Sequence, residues 1–571
     1  MRSAACFFAV LCLPLQLAGA DTQPRQVPYR EYFDKAYGGW LGKISGLTLG
    51  VPKEFSEPWP PSDITYFAEV PDHFSDLYSG DDLYFPLLVQ ICLKKYGPHP
   101  TYSQYMREWS EQLYSGRVWG ANGIALEHYW AGIMPPQTGL IGYNASSHDI
   151  DAQIDFDSAG WVSPGLINQA AAVADYGGHM VCWGDGVDGG VFVAAAISQA
   201  FFNSDMEQVI RQAQAVLPPK STYRAMLDDV LRWHREQPDW RVTRQLLAKK
   251  YSSPQTTEES SAVVNGGAVL IGLLYGEKDF GKTVITAMHC GWDSDCNAAT
   301  AGGILGTMLG ASRIPPRWST IFHDTYENYC LRGLPRRLRI SDIARDTVEV
   351  GEKVIVANQG SVRGTGAERV FTIPPTEPRT LSRDEHDSDV LLQRNRREMH
   401  SFYRQKLTPV SNAWNTGWQL TMASFENPPA VLADYFGRQK VLRAQPEHDA
   451  DVVLERTVTL APHKHHYLRI GVAHHPTVQN EQLGRPEIGK WRLEVQANGN
   501  KLGEYTVSTQ GGLVVWEDPQ FDLTPYAGQT VHIRLIGHET TSDVEFYMAS
   551  QSTYWSGMEI LSLDAPEPWR Q

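Results

Sequence analysis

The 571-residue chain is 42% hydrophobic and 20% charged, a balance that excludes wholesale disorder, a coiled-coil rod and a collagen-like fibre. Its formal net charge of −15 and the lack of a long basic run speak against nucleic acid as a partner. The 17 Trp and 25 Tyr are residue types that pack cores and also line sugar-binding surfaces.

In chain order, Arg2, an apolar stretch from Ala4 to Leu17 and the small residues Ala18-Gly19-Ala20 read as a secretory signal peptide over 1–20, removed after Ala20. No later run of about 20 apolar residues follows, so no other membrane span is expected. The mature chain is expected to be secreted or periplasmic. Once Cys6 and Cys12 leave with the leader, Cys92, Cys182, Cys290, Cys296 and Cys330 remain. They are too sparse for a disulfide scaffold, and none forms a zinc-type pair.

From Tyr29 to Ala344 the chain is rich in Ala, Gly and Leu with helical periodicity, which predicts an all-helical domain over 29–344. Gly38, Gly42, Gly46 and Gly50 recur every four residues, as do Gly302, Gly306 and Gly310. Each set forms a smooth stripe along a helix that a neighbouring helix can approach closely. Glycine costs about 1 kcal/mol per interior helix site relative to alanine, so its repetition implies compensating packing. Asp34, Lys35 and Lys43 argue against membrane insertion of the first stripe. Ile167 to Tyr176 and Gly189 to Phe202 are Ala-rich and read as further buried helices.

Five acidic segments of this part could carry chemistry. Glu54 follows the Gly50-Val51-Pro52-Lys53 break beside Phe55, a candidate general acid or base whose plainer reading is an exposed loop carboxylate. Asp81 and Asp82, after Ser79-Gly80, head an apolar run; one carboxylate suffices to cap a helix, and two can also offer oxygens to a hard cation. Asp151-Ala152-Gln153-Ile154-Asp155-Phe156-Asp157 and Trp183-Gly184-Asp185 precede Ala-rich helices. Gln153, Asp155, Asp157, Trp183 and Asp185 are candidate substrate-cleft residues, against ordinary turn and cap chemistry. Asp293-Ser294-Asp295-Cys296-Asn297 heads the second Gly-stripe helix and is an oxygen-ligand pattern suited to Mg²⁺ or Ca²⁺ rather than zinc. If Asp81, Asp82, Asp293 and Asp295 meet, they repel one another unless a cation neutralises them. Neither a phosphate loop ending in Gly-Lys-Ser/Thr nor a Gly-x-Ser-x-Gly elbow is present. Asn144-Ala145-Ser146 is a glycosylation sequon.

Residues 345–400 turn polar, with Gly360, Gly364, Gly366 and Pro374-Pro375, and read as a connecting region holding a strand or two. Over 401–571, short alternating runs such as Trp491-Arg492-Leu493-Glu494-Val495, with a turn at Asn498-Gly499, predict an antiparallel β-sandwich. Trp414 and Trp418 are read as core residues rather than ligand platforms.

The succession of the Gly-stripe helix ending in Gly50-Val51-Pro52-Lys53-Glu54, then Asp81-Asp82, then Asp293-Ser294-Asp295-Cys296-Asn297-Ala298-Ala299 resembles the ADP-ribosylglycohydrolase family over about Tyr32 to Pro315. Asp151 to Phe202 resembles a large bacterial branch of it. The resemblance implies an all-helical fold with a two-Mg²⁺ centre that hydrolyses glycosidic bonds, Asp81, Asp82, Asp293 and Asp295 as metal ligands, Glu54 at the catalytic carboxylate position, and a carbohydrate or ADP-ribose-like substrate. Where the family reads Thr-Asp-Asp-Thr this chain reads Gly80-Asp81-Asp82-Leu83, and where it reads Asp-Thr-Asp-Thr this chain reads Asp293-Ser294-Asp295-Cys296. Two hydroxyls are lost from the first motif and a thiol replaces another in the second, so one or two divalent cations, Mg²⁺ or another metal, are expected. Trp414 to Leu563 resembles galactose-binding-like jelly-roll modules through Leu454-Glu455-Arg456-Thr457-Val458, Trp516-Glu517-Asp518-Pro519 and Trp555-Ser556-Gly557-Met558.

Overall fold

The computed structural model describes residues 23–55, 58, 65–66, 80–113, 118–130, 132–252, 259–383, 389–414, 417–423, 429–446, 451–474, 490–508, 515–539 and 552–564. The leader and Ser79 lie outside them. Among the described residues no helix is long and apolar enough to cross a membrane.

A short strand β1 (Arg25–Pro28) leads into α1 (Tyr29–Gly50), and a 3₁₀ turn at Val51–Lys53 then carries the chain to Glu54. The helical domain continues with α2 (Asp81–Tyr96), α3 (Tyr102–Gln112), α4 (Gly120–Trp130), α5 (Asp151–Asp155), α6 (Asp157–Trp161), α7 (Ile167–Gly178) and α8 (Asp185–Ala200). Next come α9 (Met206–Gln214), α10 (Thr222–Glu236), α11 (Trp240–Tyr251), α12 (Ala262–Tyr275), α13 (Phe280–His289), α14 (Ser294–Leu309) and α15 (Pro316–Ser319). Helix starts follow local chemistry: Asp205, Ser221, Asp239 and Asp279 accept from backbone N–H groups of the first turn, and Thr101 with Gln104 forms a capping box.

The two glycine stripes are the spine of this domain. A Cβ added to Gly38 would drive into the Gly306 carbonyl, one on Gly42 into that of Gly302, and one on Gly46 into that of Ala298, while Gly50 lies on the backbone of Asp295. Residue numbers rise along α1 as they fall along α14, so the helices run antiparallel at backbone contact. The end of α1 is thereby delivered to the start of α14.

The segment read as a connection is mostly part of the helical domain. A short hairpin, β2 (Thr325–Glu327) and β3 (Arg337–Arg339), precedes α16 (Ile340–Ala357), which runs across the 344/345 boundary drawn from composition. Trp40 donates from Nε1 to Thr347 Oγ1 at 3.1 Å, tying α16 to α1. The strands β4 (Ser361–Arg363) and β5 (Val370–Ile373) join β1 in a three-stranded sheet ordered β1-β5-β4. Beyond it Leu381 N–H donates to Val216 O at 2.8 Å, and Arg383 pairs with Asp175 at 3.0 Å and with Asp188.

The long helix α17 (Asp389–Trp414) then enters the β part: β6 (Gln419–Met422), β7 (Ala430–Tyr435), β8 (Arg438–Ala444), β9 (Val452–Thr459), β10 (Lys464–His474), β11 (Lys490–Ala497), β12 (Asn500–Ser508), β13 (Gln520–Asp522), β14 (Thr530–Glu539) and β15 (Thr553–Asp564). They form two five-stranded sheets, β13-β10-β15-β8-β7 and β12-β11-β14-β9-β6, antiparallel at every pairing. Alternate residues such as Leu493, Val495, Ile533, Leu468 and Ile470 are buried in one core with Trp491 and Trp555, whose rings lie 4.9 Å apart. The β11–β12 turn is Asn498-Gly499, with φ of 48° and 79°, the left-handed pair that a two-residue hairpin needs. Trp414 and Trp418 are buried in this core. No cysteine among the described residues is in a disulfide.

Candidate active site

Three segments meet where α1 delivers its end to α14. Ser294 Oγ donates to Gly50 O at 3.3 Å, and Phe55 N–H donates to Trp292 O at 2.8 Å. Both Phe55 (φ 51°) and Trp292 (φ 55°) are left-handed, a backbone state that costs a non-glycine residue about 1–2 kcal/mol. The cost is offset locally: the Arg244 guanidinium lies 3.8 Å over the Trp292 ring, and its Nε donates to Cys290 O at 3.0 Å. Asn265 of α12 clamps the same loop, its Oδ1 accepting from Asp293 N–H at 3.2 Å and from Asn297 Nδ2 at 2.7 Å. Glu54, partly exposed, is thus held within electrostatic reach of the buried Asp293.

The second acidic pair arrives on α2, which begins at Asp81. Gly80 rests on Leu47 of α1, and Asp81 Oδ1 accepts from Asp82 N–H at 3.1 Å in the first turn. Asp81 is partly accessible and Asp82 fully buried. The two pairs face one another: ligand atoms of Asp81, Asp82 and Cys296 lie within 4.8 Å of each other, as do those of Asp293, Asp295 and Cys296. The Cys296 sulfur is common to both groups. The loop Glu, the α2 pair and the α14 pair singled out in the sequence therefore share one site.

Its electrostatics follow from crowding in a dry place. Burial and then Asp82, Asp295 and Asp151 push the Asp81 carboxyl well above the ordinary range. Burial, Asp295 and Glu54 do the same to Asp293, and burial with Asp82 lifts Asp295 to about 6. Asp82 Oδ2, Asp293 Oδ1 and Asp295 Oδ1 are buried and have no hydrogen-bond partner among the described residues. Orphaned, mutually repelling carboxylate oxygens of this kind fit a divalent cation. The thiol does not fit Mg²⁺, which prefers oxygen.

The floor holds a cation of its own. Lys43, on α1 between Gly42 and Gly46, places Nζ 2.9 Å from Asp157 Oδ2 and 3.2 Å from Asp82 Oδ1, with all three side chains fully buried. Burial pulls the ammonium down, but Asp157 and Asp82 outweigh it and hold its pKa at about 12. Lys43 enters the sequence argument only as a charge that keeps α1 out of a membrane. Its place on an otherwise small and apolar helix face is the signal that could have marked it, and the same holds for Asn265 on α12.

The other candidates divide by position. Asp155 is fully buried, accepts from Asn122 Nδ2 at 3.2 Å, and is raised by burial, Asp151 and also Asp81, which puts it within electrostatic reach of the centre. Asp151 accepts from Asn122 N–H at 2.8 Å and is lifted to about 7 by burial and Asp149. Asp157 is engaged by Lys43 beneath the site. Gln153 is buried and accepts through Oε1 from Tyr223 OH at 2.8 Å. Trp183 lies edge-on to His179 with its Nε1 buried. Asp185 accepts from Tyr223 N–H at 2.9 Å at the start of α10, a capping contact. The Asn144 sequon is closed to a glycan: Asn144 is buried and its Nδ2 donates to the carbonyls of Ala121, Thr138 and Val181 at 2.9, 3.0 and 3.1 Å.

A search of the curated proteins finds no match for the chain. Among solved structures, an ADP-ribosylglycohydrolase-related protein complex is 16% identical, with 56% of this chain and 99% of that one covered and a TM-score of 0.39. The Stig cyclase Fisc from Fischerella sp. TAU is 15% identical, with 26% of this chain and 75% of that one covered and a TM-score of 0.17. The ADP-ribosylglycohydrolase family model matches residues 28–352. That span runs from the start of α1 into α16, takes in every carboxylate of the site and makes up more than half of the sequence, so the chain belongs to the ADP-ribosylglycohydrolase family.

Proposed function

We propose that the protein is an exported, divalent-metal-dependent hydrolase that cleaves a glycosidic bond of a ribosyl or other glycoside substrate. The observation that carries this reading is the meeting of Asp81, Asp82, Asp293 and Asp295, with orphaned buried oxygens, at a point where Glu54 stands beside them. These four carboxylates would hold the cation, Mg²⁺ or another divalent ion, which when bound supplies charge to polarise sugar hydroxyls or a water. Glu54, the partly exposed carboxylate of the group, is suited to exchange a proton with the scissile bond or the attacking water. Asp155, within electrostatic reach of Asp81, and the partly exposed Trp183 would border the sugar, with Gln153 behind them against Tyr223. The β-sandwich, whose Trp414 and Trp418 are spent in its core, braces the helical domain in this reading.

The test is a hydrolysis screen of ADP-ribosylated peptide, nitrophenyl glycosides and polysaccharides, with and without chelator. At least one class should be cleaved, the activity should vanish with chelator, and a divalent ion should restore it. Glu54→Gln should lower the rate by about 10²–10⁴-fold while leaving metal binding intact. Cleavage that ignores the chelator, or no cleavage of any class by metal-loaded protein, defeats the proposal. The second outcome, with metal still bound, would favour a carbohydrate-binding protein that has lost catalysis, as the missing hydroxyls at Gly80 and Leu83 allow.

A further inference from the structure

Cys296 is the residue whose surroundings the reading above leaves unexplained. It is 4% exposed, on the first turn of α14, and one side of it packs on Ile150 and Ile154. A buried free cysteine usually acts as a small hydrophobe, and those two contacts suit that role. The other side does not: the sulfur is within 4.8 Å of carboxylate oxygens from both acidic pairs, and it is the one atom common to the two groups. A hydrophobe has no reason to stand among four carboxylates. Three oxygens beside it, Asp82 Oδ2, Asp293 Oδ1 and Asp295 Oδ1, are buried and have no hydrogen-bond partner among the described residues, and Lys43 pairs with Asp82 through the other oxygen, Oδ1.

We propose that Cys296 is itself a ligand, and that this centre takes a borderline transition-metal dication such as Fe²⁺ or Zn²⁺ in preference to Mg²⁺. The inference rests on the metal-dependent reading of the site. On binding, the thiol gives its proton to solvent and the sulfur joins carboxylate oxygens around the ion, a mixed donor set that favours softer dications over Mg²⁺. The serine isostere would return an oxygen donor and with it a preference for Mg²⁺.

Cobalt(II) is the probe. The full chain, stripped with chelator, is titrated with Co²⁺ alone and followed by absorption, then by competition with Mg²⁺ and Zn²⁺. A near-ultraviolet sulfur-to-cobalt charge-transfer band should grow in with Co²⁺. Cys296→Ser should lose the band, still bind Co²⁺, and shift the Zn²⁺-to-Mg²⁺ affinity ratio toward Mg²⁺ by about tenfold or more. Co²⁺ that binds without the band, or an affinity ratio that the substitution leaves unchanged, overturns the inference and leaves the hydrolase reading standing. Failure of the unmodified chain to bind any of the three ions overturns both.

Discussion

At position 43 an ammonium group sits out of reach of water between Asp82 and Asp157. Removing one member of such a buried group costs about 3–5 kcal/mol, because the partners are left charged and unpaired. Lys43 is therefore part of the site's floor, and its charge was visible in the sequence while its partners, 39 and 114 positions away, were not. Asp151 illustrates the opposite balance. Its pKa is near the ordinary Asp value of about 3.9 in the unfolded chain and about 7 in the folded one. Between those values the folded state holds the extra proton, so stability falls as pH rises through the window and the full penalty stands above it. In the metal-free protein, the urea midpoint should drop between about pH 4 and about pH 7. Asp151→Asn, which keeps an acceptor for Asn122 N–H, should flatten that slope; an unchanged slope would show that other groups set it.

At the scale of elements, the stripes Gly38 to Gly50 and Gly302 to Gly310 were legible because a four-residue glycine period has no other economical reading. What the sequence withheld was their pairing and its direction. The antiparallel contact fixes both, and with them the approach of the end of α1 to Ser294 and Asp295. Gly42→Val should cost about 3 kcal/mol or more, because a side chain there meets the Gly302 carbonyl and α14 cannot yield without moving its acidic end. Thermal unfolding measures the loss, and divalent-ion affinity should fall with it in the fraction that still folds. The start of α2 was legible at Asp81 from the acidic pair ahead of an apolar run. Asp293-Ser294-Asp295-Cys296-Asn297 heads α14 as its carboxylates implied, the helix taking Ser294 as its first residue. The turn at Asn498-Gly499 fell where its composition said it would.

At the scale of the whole molecule, two architectures share one chain, and composition told them apart while misplacing the join. Polar residues at 345–383 suggested a connection, yet α16 and β5 are fastened to the helical domain by Trp40 and β1. The joining element is α17, read as connection up to 400 and as sandwich after it. Toward its start Asn395 Nδ2 donates to Ile141 O at 2.7 Å, while Met399, Leu407 and Trp414 sit in the sandwich core with Ile133 of the helical domain. Arg443 of β8 reaches Glu127 of α4 at 3.1 Å across the same junction. Amide hydrogen exchange should give α17 the protection of both cores rather than that of a loop, and rapid exchange along it would contradict this packing. It follows that neither half can be excised cleanly at the compositional border. A fragment opening at residue 401 would inherit a severed rod, forfeit Met399 and Ile133 from its interior, and expose greasy surface that the intact polypeptide never shows to solvent.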